Sequence, residues 1–259
     1  MDRLTGCALG GVLGALVLTP WASASFAIGF EGFANGTEIG GGPHGGTFQP
    51  YAGLFTMTGK SLGSPSQGAA IFDSDPFGPN SGGLDLDLLV DLGNIVILQN
   101  DAFATQTSPG IYDTPNDEEN GGKLRFNFVT AFEMLSIDLI DVNGNGPATL
   151  TLQDSLGRTR IYFVPMHWTN DVTVAPVGWD TLDLTTLAPQ LGEGGGTATA
   201  SEDPFFDALD VISLSVVFDG SAGLDNLRFI PAPSTAVGLV GGLLGLRRRR
   251  RRGQSLNSE

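Results

Sequence analysis

Carboxylates dominate the side chains able to do chemistry in this chain: 28 Asp and Glu stand against 13 Lys and Arg, two His and one Cys in 259 residues. The richest stretches are FEGF, IFDSD, LDLD and LDN. In a sandwich whose first and last strands lie side by side, Glu31 near the beginning and Asp225 near the end point at one spot. A loop carrying Asp73, Asp75, Asp85 and Asp87 is long enough to fold over the same place. Calcium takes six to eight oxygens at about 2.3–2.6 Å and accepts carboxylates and carbonyls together, which strand ends and loops can supply. Glu31, Asp73 and Asp225 are therefore the expected ligands of a structural calcium ion, against the plainer reading of solvated carboxylates in turns. Asp141-Val142-Asn143-Gly144-Asn145-Gly146 copies the opening of a calcium-binding helix–loop–helix hand. Leu152 occupies the twelfth place, where a bidentate Glu belongs, and the flanks read as strands, so a hairpin turn is expected there.

Signatures of catalysis fail on context. Gly59-Lys60-Ser61-Leu62-Gly63 spells a nucleophile elbow, which needs a helix after it; Ser64-Pro65-Ser66 follows instead. Gly40, Gly42 and Gly45 spell a dinucleotide fingerprint with Pro43 inside it and no βαβ unit around it. His44 and His167 are the only imidazoles, far apart in sequence. Paired carboxylates for glycoside cleavage need a separation of about 5 to 9 Å, and the abundance of Asp and Glu keeps a secreted glycoside or ester hydrolase as an alternative. No enzyme is expected. Trp168 and Asn170, in HWTND, offer a sugar an aromatic platform and an amide; the competing reading puts the tryptophan in the core with its N–H satisfied.

These residues must be positioned by strands. Leu124-x-Phe126-x-Phe128, Leu135-x-Ile137-x-Leu139 and Leu150-x-Leu152 alternate with polar residues, the period-two mark of strands buried on one face. Stretches 26–30, 48–57, 95–98, 160–164, 179–184, 212–218 and 224–229 fit the same template, giving about ten strands and no long run at helical spacing. The 38 glycines, roughly twice the usual share, fall between them as GTEIGGGPHGG, GPNSGG, NGNGP, GEGGG and DGSAG. The expected fold is all-β, one antiparallel β-sandwich of the jelly-roll kind spanning residues 25–230, with 192–207 as a surface loop.

The ends differ from the body. Arg3, the apolar stretch 7–19 and Ala22-Ser23-Ala24 form the charge, apolar core and cleavage pattern of a secretory signal peptide over residues 1–24. Cys7 lies within it, so the body carries no thiol chemistry. Setting aside Arg3, Arg247 to Arg252, Asp2 and Glu259 leaves six basic and 26 acidic residues, a body charge of about −20 that repels nucleic acid and anionic lipid. Residues 236–246 are apolar, short of the roughly twenty that span a bilayer. Arginines placed after such a segment stay on the cytoplasmic side while the rest is exported, so the tail is expected to make only transient contact with the inner membrane.

Pro231-Ala232-Pro233, the apolar stretch and the cluster Arg247, Arg248, Arg249 and Arg250, extended by two further arginines, resemble the PEP-CTERM sorting signal of bacteria with an outer envelope. Ala232 stands where that signal most often has Glu, and residues 253–259 trail the arginines. The resemblance implies that residues 231–259 are a sorting tail, processed by a membrane protease of the exosortase type that places the body at the cell surface or in the extracellular matrix. The ordered pieces GFEGFANGT, IFDSDPFGPNSGGLDLDLL, LGNIVILQ, NDEENGGKLRFNF, LSIDLIDVNGNGPATLTLQDSLGR and LSVVFDGSAGLDNLRF look like the body of many such secreted proteins. That likeness implies a jelly roll similar to carbohydrate-binding modules. It makes a structural or binding role without catalysis the expectation, with a calcium-dependent module for extracellular polysaccharide as its alternative.

Overall fold

A computed structural model describes residues 25–43, 53–83, 85–142, 146–170 and 178–232. Among them run the strands β1 (Phe26–Ile28), β2 (Glu38–Gly40), β3 (Phe55–Ser61), β4 (Ala69–Asp73), β5 (Asn94–Leu98), β6 (Gly122–Ile140), β7 (Ala148–Asp154), β8 (Thr159–Val164), β9 (Trp179–Asp183), β10 (Gln190–Leu191), β11 (Thr197–Glu202), β12 (Val211–Phe218) and β13 (Gly223–Pro231). The helical content of these residues is two 3₁₀ turns, Leu86–Leu88 and Asp101–Phe103. Every named strand pairing is antiparallel.

The two alternating segments expected around residues 124–128 and 135–139 are one strand. β6 runs for 19 residues and serves both layers of the sandwich. Its first half lies between β3 and β12, with Leu124 opposite Gly59 and Val216; its second half lies between β13 and β9, with Leu139 opposite Leu224 and Asp180. Outward Val129 marks the passage between the halves. The first layer therefore runs β10-β11-β8-β7-β12-β6-β3, and the second runs β9-β6-β13-β5-β4-β2, with β1 also beside β13. Between them lies one apolar core, to which the first layer gives Met57, Phe126, Leu150, Tyr162 and Leu214, and the second gives Ile71, Val96, Ile137, Leu224 and Phe229.

A second apolar cluster, with Phe72, Leu88, Ile95, Ile97, Tyr112 and Ile140, covers the other side of β4 and β5. Burial on both faces explains why AAIFD and NIVIL show no alternation, and β4 falls where the sequence suggested only loop. β11 occupies part of the expected loop 192–207, pairing with β8 through Ser201 opposite Ile161. The strands flanking 141–147 do not pair with each other as a hairpin would require: β6 ends between β13 and β9, and β7 pairs with β12 and β8, while residues 143–145 lie outside the described residues. In the stretch read as a dinucleotide fingerprint, Gly40 and Gly41 serve backbone approach, while Gly45 lies outside the described residues. Gly40 and Gly41 have φ of 141° and 85°, and a Cβ would stand 2.8 Å from the Met57 carbonyl oxygen at the first and 1.9 Å from that of Gly59 at the second.

The outward face of the first layer is built from the alternate positions of six strands. Thr58 and Lys60 of β3, Lys123 and Arg125 of β6, Ser215 and Val217 of β12, Thr149 and Thr151 of β7, Ile161 and Phe163 of β8, and Thr199 and Ser201 of β11 lie in register across it.

Candidate functional site

The strand ends at β1 and β13 gather the carboxylates. β1 pairs with β13 through Ile28 opposite Leu227, which brings the segment after β1, carrying Glu31, beside Asp225. Asp225 lies opposite Asp138 of β6. It is 1 % exposed, and its Oδ1 meets no hydrogen-bond donor. Burial pushes its pKa up to about 7, and the charges of Glu31 and Asp138 push the same way. Asp138, also buried, accepts from Thr181 Oγ1 at 2.6 Å and from Asn226 Nδ2 at 2.9 Å. That second bond fixes the Asn226 amide, so its Oδ1 faces the side of Gly29, where a Cβ would stand 4.0 Å from both Asn226 Oδ1 and Asp225 Oδ1. Glu31 accepts from the Asn94 N–H at 3.1 Å and lies against Gly93, whose φ of 77° and missing Cβ make room for it.

Of the expected ligand set, Glu31 and Asp225 are brought together and Asp73 is not. Asp73 Oδ1 turns into its own loop and accepts the Asp75 N–H at 3.0 Å, while Asp75 accepts from Phe77 N–H at 2.8 Å. Such Asx turns satisfy a carboxylate locally. Asp138 stands where Asp73 was expected, with both oxygens already engaged. Among the described residues no three carboxylate, histidine or cysteine groups converge closely enough to ligate one ion. The oxygens gathered here are those of Asp225, Glu31 and the Asn226 amide.

Asp85 and Asp87 belong to a different place. They line a cavity of about 410 Å³ with Asn100, Asn116, Asp117, Glu119 and Ser221, floored by Ala102 and Phe103. Asp85 accepts the Asp117 N–H at 2.9 Å, and burial raises its pKa to about 6. Asp117 is raised further by burial and by the charge of Asp85. The Ser221 hydroxyl reaches both Asp117 and, at 2.9 Å, Asp141. One hydroxyl proton serves one acceptor, so the cluster holds together with a second proton on a carboxyl, and Asp117 is the group whose surroundings favour it. Glycoside cleavage needs one carboxyl kept protonated and its partner kept ionised. Asp85 and Asp117 are both pushed upward, with Asp117 4 % exposed where it borders the cavity.

The other signatures resolve structurally. Ser61 is fully buried and donates to the Gln99 carbonyl at 2.8 Å, so it is no exposed nucleophile. Trp168, the expected sugar platform, is 1 % exposed and donates its indole N–H to the Gln190 carbonyl at 3.3 Å. The GEGGG segment lies over it: Gly194 N–H donates to the Trp168 carbonyl at 2.9 Å, and a Cβ at Gly192 would stand 2.6 Å from Trp168 Cδ1. A ring so enclosed cannot stack on a ligand, and Asn170, half-buried beside it, loses its role as the platform's partner. Pro231 closes β13 opposite Phe132. Residues 1–24, expected as a signal peptide, and His44, Pro233 and Arg247 to Arg250 lie outside the described residues. Among the described residues no helix is long and apolar enough to cross a membrane.

No protein-family model matches the chain, and no curated protein matches it.

Proposed function

We propose that this protein is an exported β-sandwich with a structural or binding role and no catalysis, delivered to the cell surface or extracellular matrix and braced at its strand ends by calcium. The delivery half of the reading is supported by the leader-like residues 1–24 and by the Pro231-Ala232-Pro233, apolar and arginine order of the tail, which suits a membrane sorting protease of the exosortase type. The observation that carries the calcium half is the buried Asp225 Oδ1, without a donor and facing the Asn226 amide oxygen beside Glu31. A buried carboxylate oxygen left without a partner is costly, and a divalent cation removes that cost while tying β1 to β13.

Calorimetric titration of the full chain with calcium tests this directly. The expected result is heat of binding and a melting temperature that rises with millimolar calcium, as for extracellular calcium modules. Asp225→Ala should abolish both, whereas Asp73→Ala should leave both in place. Absence of heat and of any melting shift at millimolar calcium contradicts the bracing role.

A further inference from the structure

We infer that the outward face of the first layer is a docking surface for a linear acidic polysaccharide of the polyuronate type. The argument begins with where the few cations of an acidic body are spent. Of the six, Arg158 and Arg160 are paired with Asp154 and Glu202, and Arg228 stands exposed on β13 of the other layer, without an ion pair among the described residues. The other three, Lys60, Lys123 and Arg125, are all exposed on this one face, and among the described residues none of them makes an ion pair.

Lys60 stands directly opposite Lys123 in the β3–β6 register, with Arg125 two residues along the same strand. Like charges directly opposite on neighbouring strands destabilise a sheet, so this arrangement calls for an anion from outside the chain. None of the outward strand positions named for this face carries a carboxylate, in a body with 26 of them. From Lys60 a row runs through Lys123, Val217, Thr149 and Phe163 to Thr199, crossing five strand spacings, roughly 24 Å. It offers cations at one end, the Thr149 hydroxyl in the middle, and an exposed ring, Phe163 at 47 %, followed by the Thr199 hydroxyl at the other end. That sequence matches a chain of sugars: carboxylates for the cations, hydroxyls for the threonines, and the apolar face of a ring for the phenyl group. Three cations on a body of about −20 can match only a few negative charges, which fits a chain with one carboxylate per sugar better than a duplex with one charge per about 1.7 Å.

The inference rests on the proposed export only for the polymer and the protein to meet; the affinity itself is a property of the purified chain. Affinity electrophoresis of the full chain through polygalacturonate, beside neutral dextran, gives the test. The expected result is retardation by polygalacturonate alone, weakening as ionic strength rises from 0.01 to 0.15 M and the screening length falls from about 30 to about 8 Å. Combined Lys60→Glu, Lys123→Glu and Arg125→Glu substitution should weaken binding about tenfold or more at unchanged melting temperature, from three exposed attractions lost and reversed. Lys123→Glu alone serves if the triple variant melts lower. The tail arginines are common to every variant, so their contribution cancels. Equal retardation of wild type and variant, or none of either, overturns the assignment, as does tighter binding to single-stranded DNA or to phosphatidylserine vesicles than to polygalacturonate. Loss of export in the producing cell with polygalacturonate binding intact counts against the proposed delivery and leaves the surface standing.

Discussion

Asp225 is buried beside two other carboxylates with one oxygen unanswered. Its folded pKa of about 7 lies above the unfolded value near 3.8, so the folded state holds the proton more tightly. The sign follows: the contribution to stability is greatest below the unfolded value and is lost as pH rises through 7. Asp85, raised to about 6, works in the same direction over a lower window. In the presence of chelator the melting temperature is therefore expected to fall between pH 4 and pH 8, and Asp225→Asn should flatten the upper part of that fall. Calcium competes with the proton, so its stabilising effect should be larger at pH 8 than at pH 5; a calcium shift independent of pH across this range contradicts ligation by Asp225. Glu31 and Asp225 were legible in the sequence because strand pairing at the two ends of a sandwich is a topological expectation. Asp138 was not, since in LSIDLID it occupies what reads as a solvent-facing position, and only β9 lying beside it, with Thr181 opposite, buries it.

At the level of elements, period two found the strands with one covered face, among them β7, β8, β12 and β13, whereas β3 shares only Phe55–Met57 with the expected 48–57 and runs on to Ser61. It failed where that premise fails: β4 is buried on both sides, and β11, TATASE, carries too few apolar residues to show a pattern. It also divided β6, because the passage between layers at Val129 interrupts the alternation that continues on either side. The acidic cavity was out of reach for another reason. Asp85, Asp117 and Ser221 come from three separated connections, and nothing local marks their meeting. Trp168 belongs to this scale too, since the β10–β11 hairpin encloses it. Trp168→Ala should cost about 3–5 kcal/mol in denaturant unfolding, as expected for a large core ring. Gly194→Ala should also destabilise, its Cβ standing 2.2 Å from the Thr169 carbonyl oxygen. Wild-type stability of Trp168→Ala would return the ring to the surface and revive the platform.

Over the whole molecule, charge is sorted by place. Carboxylates crowd the loops and strand ends, three of the body's four cations without an ion pair occupy one face, and the arginine run follows in the tail sequence. Phe26 and Phe229 are paired across β1 and β13 with ring centroids 6.0 Å apart, so the first and last strands of the body close at one site. Removal of both end segments leaves that pairing whole, and a calcium ion at Asp225 would hold it once neither end is attached to anything else. The most direct test of the account is the intact mass of the protein recovered from the envelope and culture medium of the cell that makes it. The account predicts a species that begins between Ser25 and Ile28 and lacks Arg247 to Arg252. The full 27.0 kDa polypeptide, resident in the cytosol with leader and arginines in place, would contradict it.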